Sequence, residues 1–276
     1  MDFRNIRAIT LRLTLVPAQS CTSEIEPDGK APAWPVKGIS PAANDELAAS
    51  MLLVEQDALD ALKDMSEFLV TARTMEIRVD GCLEAVSETG ERIRLDGATT
   101  YKIQRPGFVI DYRSDIRNRR LIYDGKTLTI FSPKMGFYAT VPAPPTNREV
   151  LNAVYDKFGV ALSLEDLFRW NEPSTDNRLR RFESAYEVGP AIIDGVATDH
   201  FAFREEGIDW QIWIDQGAKP FPRKLVISDR RDPAKPTFIA RLKWKLNPTF
   251  AATDFAFNPG ACDKKMALAT FSGRGD

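Results

Sequence analysis

DGVATDHFAFREEGIDWQIWIDQGAKPFPRKLVIS, residues 194–228, decides the fold class. Within it Ile208, Trp210, Ile212 and Ile214 fall on one side of an extended chain. Asp209, Gln211 and Asp215 fall on the other side, with Trp213 among them. A period of two carried by β-branched and aromatic residues marks a half-buried strand. The same pattern recurs along much of the chain with few helices between. One broad, curved antiparallel sheet with an apolar face is therefore expected, in an α+β domain.

Working outward, strands are expected over 74–79, 92–95, 99–104, 108–113, 121–123, 128–131 and 137–141, then 182–188, 197–204, 208–214, 223–228 and 237–246. A last one is expected near 254–257. Asp124-Gly125 between two apolar runs signals a tight hairpin. The helical signal lies elsewhere. From about 45 to 73, Leu59, Leu62, Met65 and Leu69 recur at steps of three and four, opposite Glu55, Asp57, Asp60, Lys63, Asp64 and Glu67. Such a helix must lie against something apolar. Thr146 and Glu149 form a capping box ahead of Leu151, Val154, Tyr155 and Phe158, and Gly159 is placed to stop that helix. Ser163 and Asp166 start a further short helical turn.

The 276 residues are 43% hydrophobic and 28% charged, with a net charge of −2. This is the composition of a globular chain without a global attraction to nucleic acid or anionic membranes. No run approaches the length of a membrane-spanning helix. Residues 1–44 carry Pro17, Pro27, Pro32, Pro35 and Pro41 and read as leader and flexible linker. Arg4 and Arg7 precede an apolar run over 8–18, as in a secretory signal, but Arg12 interrupts it. A degenerate signal and an unstructured leader both fit. One domain is expected over 45–262, followed by a loose tail over 263–276. Cys21, Cys82 and Cys262 are an odd count and argue against a disulfide framework.

The chemical motifs are weak. Gly125-Lys126-Thr127 resembles the end of a phosphate loop, but Arg120 stands where that loop needs glycine, and strand follows where it needs helix. His200 is the single histidine, which excludes a zinc site with two histidines. Its neighbour Asp199 points to the opposite face of a strand. Asp194, Asp199, Asp209 and Asp215 lie near turns, where solvation explains them. Arg117, Arg119 and Arg120 form one basic cluster, and Arg178, Arg180 and Arg181 a second. Both read as solvated strand edges that discourage aggregation.

The apolar face is what remains. Ile110, Tyr112, Tyr123, Phe201, Phe203, Trp210, Ile212, Leu225 and Ile227 are placed on one side of the sheet. If they face a hollow, that hollow favours an apolar guest.

Four segments carry a resemblance: MSEFL (65–69), YDGKTLTIFSPKMGFYATVPAP (123–144), FGVALSLEDLF (158–168) and DHFAFREEGIDWQIWIDQGAKPFPRKLVIS (199–228). Together they resemble the domain-of-unknown-function family 2092 of predicted periplasmic bacterial proteins. That family looks related in fold to the LolA and LolB lipoprotein carriers and acceptors. The resemblance implies a strongly curved antiparallel half-barrel of about 10–11 strands. Amphipathic helices would plug its concave face: the helix over 55–72 and the pair over 146–168. It implies non-enzymatic binding or transport of a hydrophobic ligand, a lipid or a lipidated protein, in the periplasm. A transient envelope-protein partner fits such a role. No catalytic residue, metal or organic cofactor is implied, and no nucleic acid. Two alternatives stay open: an interaction module with a fully packed core, and a hydrolase using a converging acid pair or His200.

Overall fold

A computed structural model of the chain describes residues 54–267, apart from 88, 116, 159–163, 169, 171–178 and 180. The leader and linker over 1–44, the first part of the expected helix, Gly159, Ser163, Arg178 and Arg180 lie outside the described residues.

Among the described residues, twelve strands form one open sheet: β1 (Thr74–Val86), β2 (Arg92–Gln104), β3 (Phe108–Ser114), β4 (Asn118–Tyr123), β5 (Thr127–Ser132), β6 (Phe137–Pro142), β7 (Ser184–Ile193), β8 (Val196–Glu205), β9 (Ile208–Asp215), β10 (Pro222–Asp229), β11 (Thr237–Leu246) and β12 (Lys264–Lys265). Their order is β12-β6-β5-β4-β3-β2-β1-β11-β10-β9-β8-β7. All pairs are antiparallel except β12 with β6. Among the described residues two helices, α1 (Gln56–Val70) and α2 (Asn147–Phe158), and a 3-10 turn (Glu165–Phe168) accompany the sheet. The face of the sheet that carries α1 and α2 is called inner here.

Two expected strands, 92–95 and 99–104, are one continuous β2. Gly97 sits between them and pairs with Gly81 of β1. A Cβ on Gly81 would lie 3.2 Å from the Phe238 ring, and one on Gly97 would lie 3.1 Å from the Arg113 carbonyl. Glycine at both positions lets the longest hairpin pass close to its neighbours without breaking the ladder.

The hairpin at Asp124-Gly125 forms as expected. Gly125 has φ +93°, and Asp124 Oδ1 accepts from the Lys126 and Thr127 amides at 2.8 and 2.7 Å. These bonds fix a two-residue turn and leave no phosphate cradle. The capping box also forms: Thr146 Oγ1 accepts from the Glu149 amide, and Glu149 Oε2 from the Thr146 amide, both at 3.2 Å. Beside it, Asn147 clamps the β2–β3 turn. Its Oδ1 accepts from the Gly107 amide at 2.7 Å and its Nδ2 donates to the Gly107 carbonyl at 3.1 Å. The start of α2 is thus tied to the sheet through polar bonds, with Val150 of the same turn buried in the core.

The C-terminal reading needs correction. Residues 254–257 are not a strand, because Ala252–Phe255 is a 3-10 turn closed by the Asp254 carboxylate on the Ala251 amide. The segment after β11 instead straps the outer face. Lys102 pairs with Asp254 at 2.6 Å, Phe255 packs on Val109 and Ile122, and Phe257 rests on Phe131 and Tyr138. Lys264–Lys265, in the tail read as loose, then adds to the edge of β6.

Candidate functional site

The register places all nine apolar candidates on the inner face. Residues paired across an antiparallel ladder point to the same side. Phe201 pairs with Ile212, which pairs with Leu225; Phe203 pairs with Trp210, which pairs with Ile227. Across the sheet, Ile77, Tyr101, Ile110 and Leu121 form one row, and Met75, Ile103, Phe108 and Tyr123 the next. Tyr112 lies one row above Ile110, opposite Thr99 and Arg119.

This face is covered. Tyr112 is half-buried, and the other eight belong to one core with Leu59, Leu62, Met65 and Leu69 of α1 and Val150 and Val154 of α2. The hollow considered from sequence is filled by these side chains. The helices reach the sheet because their apolar positions recur every three or four residues, which aligns them in one stripe. Around Trp210 the packing is aromatic. Phe203 stacks on it at 4.1 Å and 15°, and Trp170 lies 5.9 Å from it. Trp210 Nε1 donates to the buried Glu205 at 3.0 Å. Tyr123 reaches out of the core to donate to the Pro144 carbonyl at 2.6 Å. Trp170, central to this stack, was missed in the sequence because it lies between elements, where periodicity gives no face; Phe182, read as the start of a strand over 182–188, sits just ahead of that strand, which begins at Ser184.

The outer face is polar and carries two open recesses. One of about 570 Å³ lies over Cys82 and Asp96. One of about 230 Å³ lies between Thr129 and Phe257. Cys82 and Cys262 are free thiols.

The hydrolase candidates do not converge. Asp209 binds Arg204, Asp215 binds Arg223, Asp194 binds Arg241 and Asp199 accepts from Gln216. Each carboxylate is thus engaged by a different partner. His200 faces outward, stacked on Trp213 at 3.9 Å and 9°, with Nε2 at 3.0 Å from Gln211 Oε1. Lys224 lies over the other reach of that indole, 4.1 Å from its centroid. This is a cross-strand packing ladder.

Burial depresses the His200 pKa below 6.5; Gln211 opposes the shift and Lys224 adds to it. The unfolded chain then binds this proton more readily than the folded one. The ring's contribution to stability is therefore present above its ordinary value and is lost as pH falls through the depressed value. Because it is the only imidazole, its NMR titration midpoint is expected below that of a free histidine. His200→Gln should flatten the stability profile in that window. A midpoint at or above the ordinary value would contradict the packing described.

The basic cluster of β4 also differs from its reading as a solvated edge. β4 is an interior strand between β3 and β5. Arg119 points inward and Arg120 outward, and both are half-buried. The signal was present in the sequence: Arg119 shares parity with Leu121 and Tyr123.

No curated protein matches the chain. Among solved structures, an uncharacterized conserved protein of Thermus thermophilus aligns at 10% identity and TM-score 0.44, over 76% of this chain and 100% of that one. The Mycobacterium tuberculosis lipoprotein LppX aligns at 11% and 0.42, over 71% and 98%. A LolA superfamily protein of Nitrosomonas europaea aligns at 11% and 0.33, over 72% and 97%. Among the described residues no helix is long and apolar enough to cross a membrane. Residues 58–269, running from α1 through the sheet to the outer strap and β12, match the family described as predicted periplasmic protein (DUF2092), and the chain belongs to that family.

Proposed function

We propose that the protein binds a hydrophobic ligand, a lipid or the acyl chain of a lipidated protein, between the inner face and its helical cover. It does so in the bacterial cell envelope and without catalysing a reaction. The sheet acts as an unclosed half-barrel, α1 as the plug of its concave side and α2 as the movable part. Residues 1–44 serve as leader and linker to this one domain. Ile110, Tyr112, Tyr123, Phe201, Phe203, Trp210, Ile212, Leu225 and Ile227 line the surface that the ligand meets.

One observation carries this reading: apolar rows cross the inner face from β6 to β8, and among the described residues they are covered by two helices, a 3-10 turn and the side chains of Trp170, Leu179 and Phe182, with no second sheet over them. The exchange is energetically feasible. Lifting Val150 and Val154 off the sheet forgoes about 3–6 kcal/mol, at about 1.5–3 kcal/mol per side chain. A chain of about ten methylenes taking their place returns about 8 kcal/mol. α2 is suited to this motion because Asn147 ties its start to the β2–β3 turn by hydrogen bonds that do not depend on the valines.

Protein purified from cells and examined by native mass spectrometry is expected to carry a lipid-sized mass that solvent extraction removes. The stripped protein should then take up a fluorescent fatty acid with one-to-one stoichiometry. Protein that is always ligand-free and refuses the probe would overturn the reading. The packed-core interaction module is the second reading, and the burial of eight of the nine residues favours it.

A further inference from the structure

The inner face is not uniformly apolar along its strands. At the end near the β2–β3 turn its row is Met75, Ile103, Phe108, Tyr123, Leu128 and Val141. The next row is Ile77, Tyr101, Ile110, Leu121, Ile130 and Ala139. One row further, the pairs become Val79 with Thr99, Thr99 with Tyr112, and Tyr112 with Arg119. Beyond that come Gly81, Gly97 and Ser114. Polarity therefore rises towards the β3–β4 end, and one cation stands at the boundary.

Among the described residues, Arg119 differs from three other strand arginines in having no carboxylate partner. Arg204, Arg223 and Arg241 each hold an aspartate. Arg119 donates through one terminal nitrogen, to the Asn118 carbonyl at 2.9 Å and to Ser132 Oγ at 2.6 Å. Among the described residues no carboxylate pairs with it. Burial lowers its pKa and Arg117 lowers it further, with no acid opposing them. A guanidinium carries five N–H donors in a rigid fork. Nε and the second terminal nitrogen of Arg119 keep theirs for an acceptor. A half-buried cation without an anion is costly, and an incoming anion relieves that cost.

We propose that Arg119, with Tyr112 and Ser132 beside it, receives the carboxylate head of a single-chain amphiphile whose hydrocarbon lies along Ile110 and Leu121. This rests on the hydrophobic-ligand reading above and narrows it to anionic lipids. The apolar rows hold the chain, and the arginine fixes which end of it faces the β3–β4 turn.

The test compares a long-chain fatty acid, its methyl ester and butyrate, each displacing a bound neutral fluorescent probe, on the native protein and on Arg119→Gln and Arg119→Lys. The native protein should bind the acid about 10- to 100-fold more tightly than the ester, as for a hydrogen-bonded charge. Arg119→Gln should erase that preference by weakening binding of the acid far more than of the ester, and Arg119→Lys should restore part of it. Equal binding of acid and ester by the native protein, or a preference that survives Arg119→Gln, overturns the head-group assignment and leaves the hydrophobic reading standing. Butyrate binding as tightly as the long-chain acid overturns it in favour of a plain anion site. If neither long-chain ligand binds, both readings fall together.

Discussion

Trp210→Ala is expected to lower the unfolding free energy by about 3–5 kcal/mol, the usual cost of truncating a large buried aromatic. Trp210 is 1% exposed and meets Phe203, Trp170 and Phe182. Removing it leaves a void bounded by three rings; Phe203 is held by β8, Phe182 sits just ahead of β7, and Trp170 is tied to α1 by its backbone amide, which donates to Ser66 Oγ at 3.1 Å, so they cannot collapse together freely. Glu205 also loses its indole donor. In a domain of this size the loss corresponds to a fall in Tm of about 10 °C. Urea unfolding followed by far-UV circular dichroism measures it without relying on the indole. Trp210→Phe keeps a six-membered ring in the stack while removing the indole donor, so its cost is expected to be smaller than that of Trp210→Ala and to include about 1.5–3 kcal/mol for the bond to the Glu205 carboxylate. A cost below that for Trp210→Ala would mean that this stack is not the packed centre of the inner face.

The same residue explains why the sheet was legible. Ile208, Trp210, Ile212 and Ile214 alternate cleanly with polar neighbours, and strand parity is a strong constraint because a shift by one residue inverts every side chain. Parity was enough to put nine side chains from several strands on one face. It was also enough to orient Arg119, but a basic cluster invites a reading by charge instead of by position. What parity cannot supply is the third dimension. Whether an apolar face borders a hollow or a helix depends on how far α1 and α2 settle onto it, and that distance is set by packing across the whole molecule. The outer strap was illegible for a different reason. Phe250, Phe255 and Phe257 have no regular spacing, and their anchor on Lys102 is a contact across 152 positions of sequence.

The readings of a lipid site and of a packed module part at α2, where Val154→Asp gives opposite outcomes. Val154 is 1% exposed in the shared core. A carboxylate there, without a partner, costs several kcal/mol if it stays buried. The helix avoids that cost by lifting away. Its start stays attached through Asn147, and the Tyr123 bond holds the preceding Pro144. If α2 is a movable cover, the variant keeps the strand signal in circular dichroism and loses only a few degrees of Tm. Its uptake of a fluorescent fatty acid rises several-fold, because the apolar rows at Ile110 and Leu121 are open without a prior displacement step. If the core is a single cooperative unit, the charge instead destabilises everything it touches. The loss then approaches that of Trp210→Ala, and no gain in probe binding accompanies it. The difference is decided by whether the strands and α2 unfold at one urea concentration or at two.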